Sequence, residues 1–136
     1  MSAAARVPAL LLALPLALAA CTAAGRADPA HSLHVANETT VAVAVVVNGL
    51  ELDVLEPGDE PFAATVAALP FPPWDVQARA RSGRVLASLI VPTLEGVTFR
   101  QGYATRADLA CGRLDIWVGP PLAGPAFSPD PARPCD

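Results

Sequence analysis

Lysine is missing from the sequence, and aromatic residues are scarce. All nine basic residues among the 136 are arginines, and 13 acidic residues bring the formal net charge to -4. This balance excludes a nucleic-acid partner, because phosphate contacts need a positive field that an acidic chain does not supply. Aromatic residues make up only 5% of the chain, so a ligand cage of large rings is not expected.

Helical periodicity is also missing, although 53% of the residues are hydrophobic. The hydrophobic share comes mainly from Ala and Val, which predicts a core of small β-branched and aliphatic groups. Fifteen prolines argue against a helical bundle, because proline removes a backbone donor and blocks helix interiors. A chain of this length holds one modest domain with appendages.

The N-terminal residues have the layout of a signal peptide. Met1 to Arg6 carry one positive charge, and Val7 to Ala17 are almost purely Ala, Leu and Val. The apolar run is about half of the roughly 20 residues that a transmembrane helix needs. Residues 1–20 are therefore predicted to be a cleaved leader.

The leader ends in Leu18-Ala19-Ala20-Cys21, which resembles the lipobox of bacterial lipoproteins. The resemblance implies that Cys21 carries a diacylglyceryl group, that the chain is cut before it, and that two or three acyl chains anchor it to a membrane. The implied location is extracytoplasmic, on the cell membrane or, in a Gram-negative cell, the outer membrane. The alternative is an ordinary secretory signal that leaves Cys21 as a thiol.

The two remaining cysteines are predicted to form a disulfide. Once Cys21 is consumed by lipid, Cys111 and Cys135 are an even pair in an oxidising compartment. The bond would fasten the Pro-rich tail, residues 119–136, to the domain. A metal site at these cysteines is disfavoured, because no His or Met follows Cys111 to complete a zinc or copper site.

The rest of the chain is predicted to be a lipidated tether over residues 21–31 and a β-sandwich domain over residues 32–118. Apolar and polar residues alternate in seven or eight short segments, and turn signals separate these segments. This pattern favours an all-β, antiparallel β-sandwich of the immunoglobulin-like class, with a small β-barrel as the alternative.

Several local patterns can be placed on this sandwich. Asn37 to Thr40 predict a turn, and Asn48-Gly49 predicts a two-residue hairpin because both positions tolerate positive φ. Trp74 is expected to fill the core. Val97 and Phe99 suggest a short strand. The segment 84–91 predicts a strand with Val85, Ala87, Leu89 and Val91 on one face and Leu86 and Ile90 on the other.

No motif for catalysis or metal binding stands out. The chain has no G-x-S-x-G, and its only histidines, His31 and His34, lie beside the tether. Asp28, His31 and His34 have a spacing that suits a helix or turn and not an extended chain, so a solvated linker is the preferred interpretation. The sequence predicts no catalytic residue, no metal and no cofactor.

Acidic pairs have structural explanations that are preferred over catalysis. Glu51 with Asp53, and Asp59 with Glu60, suggest the two carboxylates of a glycosidase, but alternating acids are also typical of an exposed sheet face. Asn37-Glu38-Thr39 matches a glycosylation sequon, and here too the turn is preferred.

The last predicted hairpin carries the candidate recognition face. If Leu109, Leu114 and Ile116 point into the core, the alternate residues project together on the other side. Arg and Trp are enriched where partners bind. The preferred alternative is a cross-strand Arg/Asp checkerboard with a structural role. The face consists of Arg106, Asp108, Arg113, Asp115 and Trp117.

Three further stretches carry a second resemblance. NGLELDVLEPGDE, LPFPPWDVQARARSGRVLASLIV and CGRLDIWVGPP resemble a group of small bacterial lipoproteins to which no activity is attached. The sequence therefore favours a non-enzymatic, lipid-anchored module that binds an envelope protein or another envelope component. The alternatives are a small hydrolase with an unrecognised site and a solute-binding or metal-binding lipoprotein.

Overall fold

A computed structural model describes residues 31–125, 130, 132 and 135. The leader, Cys21 and Asp28 lie outside these residues. The described part is built from strands, and no helix in it is long and apolar enough to cross a membrane. Its eight strands are β1 (Ser32–Thr39), β2 (Val43–Val47), β3 (Leu50–Leu55), β4 (Phe62–Thr65), β5 (Trp74–Ala80), β6 (Val85–Val91), β7 (Tyr103–Leu109) and β8 (Gly112–Val118).

The strands form two separate four-stranded sheets in which all pairings are antiparallel. Sheet A has the order β4-β1-β8-β7, and sheet B has the order β3-β2-β5-β6. Because each sheet keeps two edge strands, the fold is an open sandwich. The antiparallel β-sandwich expected from the sequence is confirmed, and the alternative of a small closed barrel is wrong.

Period-two alternation builds the core. Val43, Val45 and Val47 of β2 are at most 1% exposed, and they point into the space between the sheets. Side chains of successive strand residues point to opposite faces, and the alternate residues Val43, Val45 and Val47 of β2 are therefore buried together. Trp74 is fully buried as expected, and its indole Nε1 donates to the Pro70 carbonyl oxygen at 2.7 Å.

Asn37 does not lie in a turn but inside β1. Its side chain is 4% exposed, and its Nδ2 donates to the carbonyl oxygens of Val41 and Leu55 at 2.9 and 3.0 Å. Its Oδ1 accepts hydrogen bonds from the backbone N–H and the hydroxyl of Thr39. The predicted turn at 37–40 is therefore wrong, because this amide ties β1 to the end of β3. The chain bends at Thr40 and Val41 instead.

A β-bulge breaks the alternation predicted for β6. Ala78 pairs with Ala87 and Arg79 pairs with Val85, which leaves Leu86 as the extra residue. A bulge places two residues of one strand opposite one residue of its partner. Leu86 and Ala87 are both buried as a result, whereas Val85, predicted to share a face with Ala87, is 45% exposed.

The segment between β6 and β7 contains no strand. Val97 is buried in a loop, and Phe99 is exposed in a turn in which the Thr98 N–H donates to the Gln101 carbonyl oxygen at 2.7 Å. The strand expected at Val97 and Phe99 is therefore wrong. The loop's own hydrogen bonds replace ladder pairing.

The sandwich has two distinct ends. The tether end is the end at which β1 begins with Ser32. It also carries the Asn48-Gly49 turn and the crossovers 66–73 and 92–102. The distal end carries the β5–β6 and β7–β8 turns. At the tether end, Asn48 has φ 52° and Gly49 has φ 83°, as a two-residue hairpin requires.

Two leucines provide a test of this core. Leu114 is fully buried between the sheets, whereas Leu50 is 62% exposed. We expect Leu114→Ala to lower the free energy of unfolding by about 2–5 kcal/mol, because it removes buried methyl groups and leaves a cavity. The matched variant Leu50→Ala should change it by less than about 0.5 kcal/mol. Urea denaturation measures both, and equal losses would contradict the sandwich.

Candidate functional site

The predicted recognition residues all lie on the outer face of sheet A. Arg106 of β7 pairs with Asp115 of β8, and Asp108 pairs with Arg113. Both pairs are ion pairs with a distance of 2.7 Å from the arginine Nε to the carboxylate Oδ1. The four side chains therefore form a checkerboard across the hairpin, and Trp117 lies beside it on β8.

The chain's own tail crosses this checkerboard. We call residues 120–125 the strap. Arg106 donates from Nη2 to the Leu122 carbonyl oxygen at 3.0 Å and from Nη1 to that of Ala123 at 3.4 Å. Arg113 donates from Nη1 to the Pro125 carbonyl oxygen at 2.6 Å. Each guanidinium group thus joins a carboxylate on the sheet to the strap.

The predicted disulfide between Cys111 and Cys135 is present. Both residues are buried, with Cα atoms 5.3 Å apart. Cys111 lies in the β7–β8 turn, and its carbonyl oxygen accepts from the Thr40 N–H at 3.1 Å. Gly112 follows it where β1 passes closely, and a side chain there would collide with the Glu38 carbonyl oxygen. The tail is therefore fastened at the distal end of the sandwich.

Electrostatics favour the charged form of the checkerboard. The hydrogen bond from Arg113 holds the pKa of the Asp108 carboxyl below its ordinary value. The hydrogen bond to Asp115 raises the pKa of Arg106. Asp108 is half exposed, so water screens its ion pair with Arg113. The hydrogen bonds to the strap hold the guanidinium groups in position in addition to this screened attraction.

His34 lies in this face and packs against the predicted tryptophan. Its ring stacks on that of Trp117, with centroids 5.0 Å apart and an interplanar angle of 10°. Burial lowers the pKa of His34, because removal from water disfavours the imidazolium form. Of the residues considered for a metal, His34 is thus engaged in a ring contact, and Asp28 is outside the described residues.

One acid of each acidic pair, Asp53 or Asp59, accepts a hydrogen bond from the backbone. Asp53 Oδ1 accepts from the N–H of Val54, on the edge strand β3, at 2.8 Å. Asp59 Oδ2 accepts from the Glu56 N–H at 2.8 Å and closes the β3–β4 turn. Within residues 31–125, 130, 132 and 135, no group of three or more His, Cys, Asp or Glu side chains has the geometry to hold a metal.

A groove of about 450 Å³ lies on the outer face of sheet B. Its floor is formed by Ala44 and Val46 of the central strand β2 and by Ala42, which precedes that strand. A shallower depression of about 320 Å³ shares Ala42 with it and extends it to the distal end. Short side chains on one strand between long ones on its neighbours produce this concave shape.

The two walls of the groove carry opposite charges. Glu51 stands on the β3 side, and Arg79 and Arg81 stand on the β5 side. Arg79 donates from Nε and Nη2 to Oε1 of Gln77 at 2.8 and 2.6 Å, so these two bonds end on a neutral amide. An apolar floor between an acid and two arginines suits an amphipathic partner segment with charges of both signs.

Sequence reasoning placed the hairpin residues on one face but missed both the strap and the groove. The groove has a weak sequence signal, which is the pair of alanines Ala42 and Ala44 at the start of one strand and the pair of arginines Arg79 and Arg81 at the end of its neighbour. Comparisons of the chain with protein-family models, with curated proteins and with solved structures find no match. A function can therefore be inferred only from the geometry and chemistry of the chain itself.

The disulfide is expected to contribute measurably to the free energy of unfolding. We expect Cys135→Ser to lower the free energy of unfolding by about 3 kcal/mol, the chain-entropy value for closing a loop of about 25 residues. Denaturation with and without dithiothreitol provides the control. The reductant should bring the wild type to the level of the variant and leave the variant unchanged. A variant as stable as the oxidised wild type would contradict the role of the bond.

Proposed function

We propose that the protein is a lipid-anchored, extracytoplasmic binding module of the bacterial envelope and that it has no catalytic activity. The observation that carries this proposal is the partition of the three cysteines. Cys111 and Cys135 are joined to each other, so Cys21 remains as the odd thiol. It stands in the segment that resembles a lipobox, and a structural disulfide is typical of oxidising compartments.

The groove on sheet B is the surface that we assign to the partner. Both outer faces carry charge, but the arginines of sheet A already hold the strap, whereas the groove is open. An anchor would restrict the module to a surface and raise its effective concentration for neighbouring envelope components. Affinity at the groove can then be modest and still give stable association.

The proposed likeness to immunoglobulin-like domains concerns the packing of the two sheets. Immunoglobulin-like sandwiches share two packed antiparallel sheets, although their topology varies among families. In the immunoglobulin constant arrangement the first two strands are neighbours in one sheet. Here β1 and β2 lie in opposite sheets. We therefore propose a common packing principle with the immunoglobulin-like class and not a shared strand order.

Replacing the odd cysteine tests the anchor. We expect Cys21→Ala to move the protein from the membrane pellet to the soluble fraction, because the acyl chains that hold it are lost. Thr22→Ala, which keeps the cysteine, should stay in the pellet. Mass spectrometry of the N-terminal peptide of the wild type should show a lipid-modified Cys21. An unmodified Cys21 in that peptide would contradict the proposal.

Site-specific photocrosslinking tests the groove. A photoreactive amino acid at Ala44, on the groove floor, should give a discrete adduct in native membranes. The same residue at Ala63, exposed on β4, should give none. The adduct should disappear in Arg81→Glu, which reverses charge on one wall. It should persist in Arg84→Glu, an exposed arginine outside the lining. Equal labelling at both alanines would refute the assignment.

A further inference from the structure

The most exposed large hydrophobic side chains of the described residues gather at one end of the sandwich. Phe71, Phe99, Leu50 and Ile90 are 95%, 67%, 62% and 59% exposed, and no other large hydrophobic residue of the described part exceeds 45%. We call these four residues the apolar tips. Apolar surface that clusters in this way marks a site of interaction with a protein or a membrane.

Topology places all four apolar tips at the tether end. Leu50 follows the Asn48-Gly49 turn, and Ile90 is one residue from the end of β6. Phe71 belongs to the crossover between β4 and β5, and Phe99 belongs to the crossover between β6 and β7. The distal end differs, because its turns present exposed charges. These include Glu56, Asp59, Arg81 and Arg84.

Hydrogen bonds on both sides of Phe71 hold its loop in place. The buried Trp74 donates to the Pro70 carbonyl oxygen at 2.7 Å. Asn48, in the neighbouring hairpin turn, donates from Nδ2 to the Pro73 carbonyl oxygen at 3.2 Å, and its Oδ1 accepts from the Asp75 N–H at 2.8 Å. The phenyl ring therefore projects from a braced segment, and the same braces tie this segment to the turn that precedes Leu50.

Phe99 is presented in a similar way. It occupies the tip of a turn in which the Thr98 N–H donates to the Gln101 carbonyl oxygen at 2.7 Å. The Thr98 hydroxyl oxygen accepts from the N–H groups of Arg100 and Gln101 at 3.2 and 3.1 Å. Holding an apolar group in position before it binds reduces the entropy that binding costs.

The position of the proposed anchor identifies the occupant of this end, and this step rests on the proposed function. Ten residues, 22 to 31, separate Cys21 from Ser32 at the tether end. Fully extended, they span at most about 35 Å. Contact between the distal end and the bilayer would make the segment run back along the sandwich, about 23 Å for a strand of seven residues. The tether end meets the membrane without this detour.

We propose that the tether end is a membrane-docking surface, and that the apolar tips enter the interfacial layer of the bilayer that holds the Cys21 anchor. Phe and Leu are typical of protein segments whose apolar side enters this layer. Arg100, next to Phe99, would meet anionic headgroups, and Glu95 in the same loop opposes it in part. Insertion is therefore driven mainly by apolar area. Docking would fix the orientation of the domain, with the groove running along its side.

Fluorescence quenching in vesicles tests the docking surface. The full-length lipoprotein is reconstituted into phosphatidylethanolamine and phosphatidylglycerol vesicles that contain lipids brominated in the acyl chains. Reporters are Phe71→Trp and Phe99→Trp, with Val85→Trp at the distal end as the matched control. We expect strong quenching of the first two reporters, beyond the background of Trp74 and Trp117, and none of the third.

A second variant measures the contribution of the rings. In an Ile90→Trp background, replacing both Phe71 and Phe99 with Ser should shift the equilibrium between docked and undocked states by roughly tenfold per ring, since transfer of a phenyl group from water is favourable by at least that factor. The loss of quenching reports the shift. Circular dichroism and urea denaturation show whether the variant keeps its fold.

The outcomes separate this inference from the proposed anchor. A lipid-modified Cys21 with unquenched reporters would overturn docking and leave the anchor standing. An unmodified Cys21 with quenched reporters would refute the anchor and support docking. If the reporters at 71 and 99 instead become shielded without vesicles and in proportion to protein concentration, the tether end is a contact between copies of the chain, and membrane docking is wrong.

Discussion

The interlocking of apolar side chains between the two sheets is the interaction on which the rest of the structure depends. The central strands β1 and β8 of sheet A and β2 and β5 of sheet B supply nearly all of the fully buried side chains. Because valine dominates this layer, the sheets are held by many small β-branched contacts around a single large side chain, Trp74. This layer also positions the strap, which follows the central strand β8, and the groove, whose floor includes residues of the central strand β2.

Alternation in the sequence is sufficient to predict this core. Trp74, Val76, Ala78 and Ala80 occupy every second position and are all buried, and the Asn48-Gly49 turn forms the expected hairpin. The prediction fails where one residue is inserted without altering composition, as Leu86 is in the β6 bulge. It also fails at Asn37, because an asparagine that closes a turn and one that ties two strands together inside a core look alike in a sequence.

The shared face of the candidate site was predictable from the sequence, and the path of the tail across it was not. Period two correctly places Arg106, Arg113 and their neighbours on one face, because that depends on local geometry. The path of the tail over that face depends on hydrogen bonds between arginine side chains and carbonyl oxygens far along the chain, and a proline-rich segment has no periodicity to reveal them. The exposed position of Phe71 is equally hidden, since apolar residues are normally assigned to the interior.

The two faces of the sandwich consequently differ in kind. The outer face of sheet A is crossed by the strap, and arginine side chains join its carboxylates to that strap. The outer face of sheet B carries the groove. The groove floor includes the outer side of β2, and the inner side of the same strand fills the core. A change on the floor of the groove therefore acts on a strand whose opposite face is already closely packed, which couples the shape of the groove to the stability of the fold.

Asn48 makes the tether end susceptible to slow deamidation. An asparagine followed by glycine is the dipeptide most prone to spontaneous deamidation, and here its amide is held by Pro73 and Asp75. These bonds must break before the side chain can cyclise onto the following nitrogen, so the folded protein protects this position. Conversion to a carboxylate would leave the Pro73 carbonyl oxygen facing another acceptor. The hydrogen bond from position 48 to the proline-rich crossover would then be lost as the molecule ages, whereas a carboxylate oxygen can still accept from the Asp75 N–H.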